Sequence, residues 1–258
     1  MRIKDKLKKS NFARSIYYSL ETVKEFFTFS AVSFASNLSW FISDYLKYRV
    51  LQKNNDSLKI KILMPCIKDK TSTTPLDPVY FYQDTWAAKK IFTKNPSHHY
   101  DVGSSAKTIG LISQFVPTTM IDIRPVDLKL ENLFFKEGSI LKLPFEDNSI
   151  DSISSICVIE HIGLGRYGDP LDVFGSEKSI AEIQRVTKPG GMILISVPVD
   201  DENKVYFNAG RAFTREFVLD KFISCKLIEE KYIYGRSLQD SYDKAIGYGI
   251  GLYMFEKT

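Results

Sequence analysis

His99-Tyr-Asp-Val-Gly-Ser-Ser-Ala-Lys-Thr-Ile-Gly-Leu-Ile-Ser-Gln-Phe115, followed by Val116-Pro-Thr-Thr-Met-Ile-Asp-Ile-Arg-Pro125, holds a strand, a helix and a second strand in one run. His99 to Val102 is a short strand halted by Gly103, and Ala106 to Phe115 reads as a helix. Thr119 to Arg124 is a buried strand closed by Pro125, which has no N–H for a ladder. Onward from this unit, strands are predicted at Leu133–Lys136, Ile153–Ile159, Met192–Val197, Leu227–Tyr234 and Gly249–Glu256, with helices at Ser176–Thr187 and Arg215–Ile223. Strands alternating with helices at this spacing imply an α/β, doubly wound parallel sheet with right-handed crossovers. Such sheets bind ligands beyond the carboxyl ends of their strands, where the strand order switches. Asp101, Gly103, Ser104 and Ser105 end the first strand, where a glycine lets the backbone approach a ligand. Asp122 ends the second strand, where an acid accepts hydrogen bonds from ribose hydroxyls. A buried turn aspartate and a helix-capping aspartate are the structural alternatives for the two acids.

Toward the N-terminus, Asp84 to Phe92 carries helix-favouring Ala and Lys, with Trp86, Ile91 and Phe92 available for burial. The organisation predicted is a basic helical extension over 1–55, a connector over 56–96 and the α/β domain over 97–258. Residues 1–55 carry ten Lys/Arg against four acids, +6, while the whole chain is +4, so the α/β part is slightly acidic and unlike a general nucleic-acid binder. Phe26 to Ser43 is uncharged, but seven of its 18 residues are Ser, Thr or Asn, a poor bilayer span. Phe27, Ala31, Phe34, Leu38 and Phe41 fall on one helical face. That pattern suits a helix packed on protein, or a peripheral membrane contact through residues 1–50. No secretory signal is read at the N-terminus. Cys66, Cys157 and Cys225 lie too far apart for a disulfide framework or a zinc site, and a reducing cytoplasm is the expected setting. No metal site is expected: Glu160, His161 and Asp169 lack a ligand spacing.

Two further stretches carry a resemblance. Gly138-Ser-Ile-Leu-Lys-Leu-Pro-Phe-Glu-Asp-Asn-Ser-Ile-Asp151 resembles the run before the fourth strand in methyltransferases acting on quinone precursors and other small molecules. Lys188-Pro-Gly-Gly191 resembles their turn into the fifth strand. With Asp101, Gly103 and Asp122 these form four landmarks in order, so the chain looks like a class I S-adenosylmethionine-dependent methyltransferase. The resemblance implies a Rossmann-like, mostly parallel seven-stranded sheet. Tyr80 to Ile91, Asp122-Ile-Arg-Pro125, Glu160-His-Ile-Gly-Leu-Gly-Arg-Tyr-Gly-Asp-Pro170 and Asn208-Ala-Gly-Arg211 also look like a domain-of-unknown-function family first described from nematodes and found in bacterial surface-polysaccharide gene clusters. Two departures stand out. Ser105 and Lys107 occupy the second and third glycine positions of the loop, which puts Lys107 close to the cofactor's methionine part, and Ser139 replaces the acid that meets the adenine amino group.

The resemblance implies S-adenosylmethionine as cofactor, held by Asp101, Gly103, Ser104, Ser105, Asp122, Ser139 and Ile140. It also implies a saccharide or glycolipid acceptor in surface-polysaccharide synthesis. Gly163-Leu-Gly-Arg-Tyr-Gly168 follows the fourth strand rather than the first, so it is no dinucleotide fingerprint and falls where acceptor groups sit. His161 is the candidate general base, with Glu160 orienting or replacing it. Arg166 and Arg211 are candidates for an anionic acceptor group, and Tyr167, Asp169 and Asn208 for the rest of the acceptor site. A loop-holding histidine and ordinary salt-bridged arginines are the structural alternatives. His98 and His99 are expected to be structural. A non-catalytic Rossmann module, or another sugar-nucleotide enzyme on this scaffold, is the alternative function.

Overall fold

The computed structural model describes residues 34–52, 60, 62–67 and 69–258. It divides into two compact units at Pro75/Leu76. In the first, residues 34–51 are helical. Phe27 and Ala31 of the expected amphipathic face lie outside the described residues, Phe34 is exposed, and Leu38 and Phe41 are half-buried. Within this unit Lys70 lies over the Trp40 ring at 4.7 Å.

The second unit opens with helix α1 (Pro78–Lys94). Asp77 caps it by accepting from the Val79 and Tyr80 N–H groups, Pro78 suits the first turn, and Asn95 ends it in the left-handed region at φ 48°. The helix is longer than the expected Asp84–Phe92. Gln83, Trp86, Ala87 and Ile91 form its buried stripe, whereas Phe92 is exposed.

The remaining elements follow in chain order. They are β1 (His99–Val102), α2 (Ala106–Ile112), β2 (Thr118–Asp122), β3 (Leu133–Glu137), β4 (Ile150–Ile156), a 3-10 turn (Ile159–His161), α3 (Gly175–Val186) and β5 (Thr187–Val199). A small hairpin of β6 (Lys204–Tyr206) and β7 (Gly210–Ala212) precedes α4 (Arg215–Lys221), β8 (Cys225–Tyr234), β9 (Ser237–Gln239) and β10 (Gly249–Lys257).

The main sheet has eight strands in the order β3-β2-β1-β4-β5-β10-β8-β9. The first five are parallel, while β10 runs antiparallel to both β5 and β8, and β9 antiparallel to β8. This is the mainly parallel, Rossmann-like sheet of class I methyltransferases, with one strand more than the seven expected because β9 folds back onto β8. The chain steps outward from β1 to β3 and then returns to β4 on the other side of β1, which creates the switch point between β1 and β4. Along β5, Ile193, Ile195, Val197 and Val199 pack into one core while Met192 and Leu194 pack into the other, the two-residue period of a strand buried on both faces. Lys188-Pro-Gly-Gly191 bulges from β5: Ile150 pairs with Thr187, but Ser152 already pairs with Met192.

Candidate active site

At the end of β1, Asp101 is fully buried and organises the loop after it. It accepts from the Ser104 N–H (3.0 Å), Ser104 Oγ (2.6 Å) and Ser154 Oγ (2.5 Å), and burial pushes its carboxyl up to about 6. Ser104 Oγ also accepts from the Ile156 N–H of β4. The pair ties β1 to β4 at the switch point rather than facing a ligand. Gly103 adopts φ +73°, and a Cβ there would stand 3.0 Å from Val158 Cγ1. The loop therefore needs glycine at this position and leaves an open cradle above it. Ser105 stands at the N-cap position before α2 at φ −62°, compatible with any side chain, and Lys107 is exposed on the helix. Neither stands in the cleft wall, so the bulk expected from Lys107 does not enter it.

The cleft opens directly over Gly103 and is walled by the ends of β2 and β3: Ile121, Asp122, Arg124, Gly138, Ser139 and Ile140. Asp122 accepts from the Arg124 N–H at 2.8 Å through Oδ1, an aspartate turn that fixes the carboxylate at the strand end. Ser139 Oγ accepts from the Leu141 N–H at 3.2 Å. Leu143-Pro-Phe-Glu-Asp147 beyond it is held by α3: Glu182 Oε1 accepts from the Leu143 N–H at 2.6 Å. Arg185 donates to the carbonyls of Leu143 and Phe145 and to the carboxylates of Glu182 and Asp147. That lattice is the physical reason for the motif.

The far wall comes from the end of β4. Cys157 has φ +52°, and its thiol contacts Gln83 Oε1 (3.1 Å) and Ser196 Oγ (3.3 Å). Burial holds that thiol protonated. Glu160 is buried, its Oε2 has no hydrogen-bond partner, and burial raises its carboxyl to about 8. His161 lines the cleft beside it. Nε2 lies 3.7 Å from Glu160 Oε1 and Nδ1 3.5 Å from Arg166 Nη1, both at or beyond the limit of a hydrogen bond. Burial and then the Arg166 charge lower its pKa, so the ring is neutral and able to take a proton at neutral pH.

Gly163-Leu-Gly-Arg-Tyr-Gly168 then forms a tight loop. Gly163 takes φ +85°, and a Cβ would strike Asp172 O at 2.0 Å. Asp169 holds the loop through the Gly163 and Tyr167 N–H groups, and Tyr167 stands edge-on to His161 with the Arg124 guanidinium 4.7 Å from its ring centre.

Of the residues expected at the site, Gly103, Asp122, Ser139, Ile140, His161, Tyr167 and Asp169 line the cleft. Asp101, Ser104 and Glu160 lie behind its wall. Arg166 sits at the rim, donating to Ala209 O at 2.6 Å. Asn208 is exposed on the β6–β7 turn. Arg211 is a correction: it is buried and donates to Ile162 O (2.5 Å), Ser176 Oγ (3.0 Å) and Asp172 O (3.1 Å), so it clamps the acceptor-side loop and offers nothing to an anion. His99 is structural as expected, buried between Ser152 and Ser154, with burial lowering its pKa to about 3. Arg124, Cys157 and the supporting Gln83 join the site without having been expected there. Arg124 was visible only as part of the Asp122-Ile-Arg-Pro125 string, and Gln83 reaches the site from a helix far away in sequence.

The family described as Caenorhabditis protein of unknown function, DUF268, matches residues 136–218. An uncharacterized methyltransferase of Schizosaccharomyces pombe is 38% identical over 65 residues, 25% of this chain and 19% of that protein. The demethylmenaquinone methyltransferase of Oceanobacillus iheyensis is 27% identical over 140 residues, 54% of this chain and 53% of that protein. The chain thus spans about a fifth and about half of these two relatives. Among solved structures, the 1,6-didemethyltoxoflavin-N1-methyltransferase of Burkholderia thailandensis, with bound 1,6-didemethyltoxoflavin and S-adenosylhomocysteine, superposes at a TM-score of 0.52. Identity is 14%, and the match covers 87% of this chain and 89% of that one. The class I methyltransferase fold is shared.

Proposed function

We propose that the chain is an S-adenosylmethionine-dependent methyltransferase that O-methylates a sugar or glycolipid intermediate of cell-surface polysaccharide biosynthesis. The observation that carries the transferase reading is the cleft at the β1/β4 switch point, with the Gly103 cradle at its floor and the Asp122 carboxylate at its wall. Gly103, where a Cβ would press on Val158 at 3.0 Å, keeps the loop backbone bare at the cleft, and Asp122 supplies the acceptor oxygens that ribose hydroxyls require, so the residues present fit S-adenosylmethionine. The relatives named methyltransferases, and the bound S-adenosylhomocysteine of the Burkholderia enzyme, support the same cofactor. The acceptor class rests on the resemblance of the Glu160–Pro170 string.

Gly103, Asp122, Ser139 and Ile140 would hold the cofactor, which supplies an electrophilic methyl group when bound. His161, neutral and on the opposite wall, takes the proton of the attacking hydroxyl, and Tyr167 and Asp169 shape the acceptor side. Glu160 backs His161 from the buried side. A cytoplasmic setting at the inner face of a membrane, with residues 1–50 as a peripheral contact, belongs to the same proposal. It is supported by the exposed Phe34, Ile42 and Leu46. Among the described residues no helix is long and apolar enough to cross a membrane.

The test is calorimetric titration with S-adenosylhomocysteine. Saturable binding that Asp122→Ala weakens at least tenfold is the expected result; no binding by the folded protein at millimolar ligand overturns the reading.

A further inference from the structure

Two loops on the acceptor side of the cleft carry large apolar side chains that are mostly exposed. Leu171, Val173 and Phe174 belong to the loop before α3; Val205 and Phe207 belong to the β6–β7 hairpin. Leu171, Val173 and Phe207 are each at least 74% exposed. The loops are bonded to each other: Arg211 of β7 donates to Asp172 O, between Leu171 and Val173, and Arg166 donates to Ala209 O, two residues beyond Phe207. The apolar side chains therefore stand on two loops joined along a hydrogen-bonded seam, and exposed apolar residues grouped on joined loops call for an explanation that isolated ones do not.

At the inner end of this seam stands Arg166, 3.5 Å from His161 Nδ1 and beside Tyr167 of the cleft wall. Among the described residues Arg166 forms no ion pair. Both oxygens of Asp169 receive loop N–H groups, and Asp172 takes the Phe174 N–H and Lys178. A guanidinium without a carboxylate partner at the cleft mouth, on a loop joined to the one that bears Val205 and Phe207, complements a molecule with a negative head and a hydrocarbon tail.

We propose that the acceptor is an anionic amphiphile: its charged head group docks on Arg166 and its apolar chain lies on Leu171, Val173, Phe174, Val205 and Phe207. This deepens the methyltransferase reading, and rests on it only for calling the ligand an acceptor.

Dodecyl phosphate below its micelle threshold, butyl phosphate and dodecyl maltoside are the probes, titrated calorimetrically into the full chain with and without S-adenosylhomocysteine. Dodecyl phosphate is expected to bind at least tenfold tighter than butyl phosphate. The double variant Val173→Ser, Phe207→Ser should bring the two phosphates within about threefold while leaving S-adenosylhomocysteine affinity unchanged. Arg166→Gln should weaken both phosphates alike and leave dodecyl maltoside unaffected. Equal affinity for long and short phosphates, or a double variant indistinguishable from the parent, overturns the inference. Because the amphiphile titration is also run without S-adenosylhomocysteine, a chain that fails to bind that nucleoside sinks the methyl-transfer reading, while the two phosphate affinities still decide whether the seat binds an alkyl chain.

Discussion

Glu160 is the residue whose placement costs the fold most visibly, since its carboxyl is buried with one oxygen unpartnered. The groups facing it are Cys157, His161 and Arg166; burial raises its pKa and overrides the lowering by its own backbone N–H, Cys157 and Arg166. The folded protein retains the Glu160 proton up to about pH 8, whereas an unfolded chain releases it near 4.5. The native state thus binds more protons across this window, and stability falls as pH rises through it. Glu160→Gln does not titrate, so its thermal stability relative to the parent should be level near pH 4.5, rise with pH and flatten above about 8. Each kcal/mol so recovered is worth roughly 2–4 °C in Tm for a chain of this size. Melting curves between pH 4.5 and 9 check it; a constant offset would mean that the proton is not held. Gly103 invites the opposite kind of change. Gly103→Ala places a Cβ in the left-handed region, at about 1–2 kcal/mol, and against Val158. The variant should stay folded with Tm lowered by a few degrees, while S-adenosylhomocysteine affinity falls at least tenfold in the same calorimeter.

Elements are held at the site by buried side chains reaching for backbone. The segment from Ile162 to Phe174 has no regular structure and stays in place because Arg211 and Asp169 satisfy its carbonyls and N–H groups. Removing the Arg211 guanidinium strands buried acceptors, so Arg211→Met should cost about 2–4 kcal/mol in urea unfolding. Arg166→Gln, at the exposed rim with one hydrogen bond to a carbonyl, should cost less than about 1 kcal/mol. Equal losses would mean that Arg211 does not carry the loop. The same contrast explains what the sequence made legible. Strands β5 and β10 were readable because long apolar runs buried on both faces leave little ambiguity, while β1, β2, β3, β4 and β8 were readable as shorter runs alternating with helices and turn residues. Asp122, Gly103 and His161 were readable because strand ends are where such sheets bind. Strands β6 and β9 are three residues each, too short for any period to show, and Lys204-Val-Tyr206 is stabilised by an ion pair with Asp200 and the return strand rather than by burial. Arg211 looks like an anion binder because a cation announces its charge in sequence but not its partners, which here lie 49 and 39 residues back. Gln83 stayed hidden for the same reason.

At the scale of the molecule, the two hydrophobic cores of the second unit are built, among the described residues, from buried side chains between Trp86 and Phe255. A chain trimmed to Leu76–Thr258 keeps all of these residues, and should melt cooperatively within a few degrees of the full chain and bind S-adenosylhomocysteine as well. What the trimming removes is the segment with +6 charge over residues 1–55 and the helical face bearing Ile42, Leu46 and Val50. If that segment is the peripheral contact, the full chain should sediment with vesicles of phosphatidylcholine and phosphatidylserine but not of phosphatidylcholine alone. Each basic residue near an anionic surface is worth about 1 kcal/mol, so trimming should reduce vesicle partitioning by well over tenfold. Raising salt to about 1 M, where the Debye length is near 3 Å, should reduce it in the full chain as well. Dodecyl phosphate binding should survive the trimming, since its seat lies entirely on the second unit. Undiminished vesicle binding by Leu76–Thr258 would move the membrane contact from the basic helix to the apolar rim of the cleft.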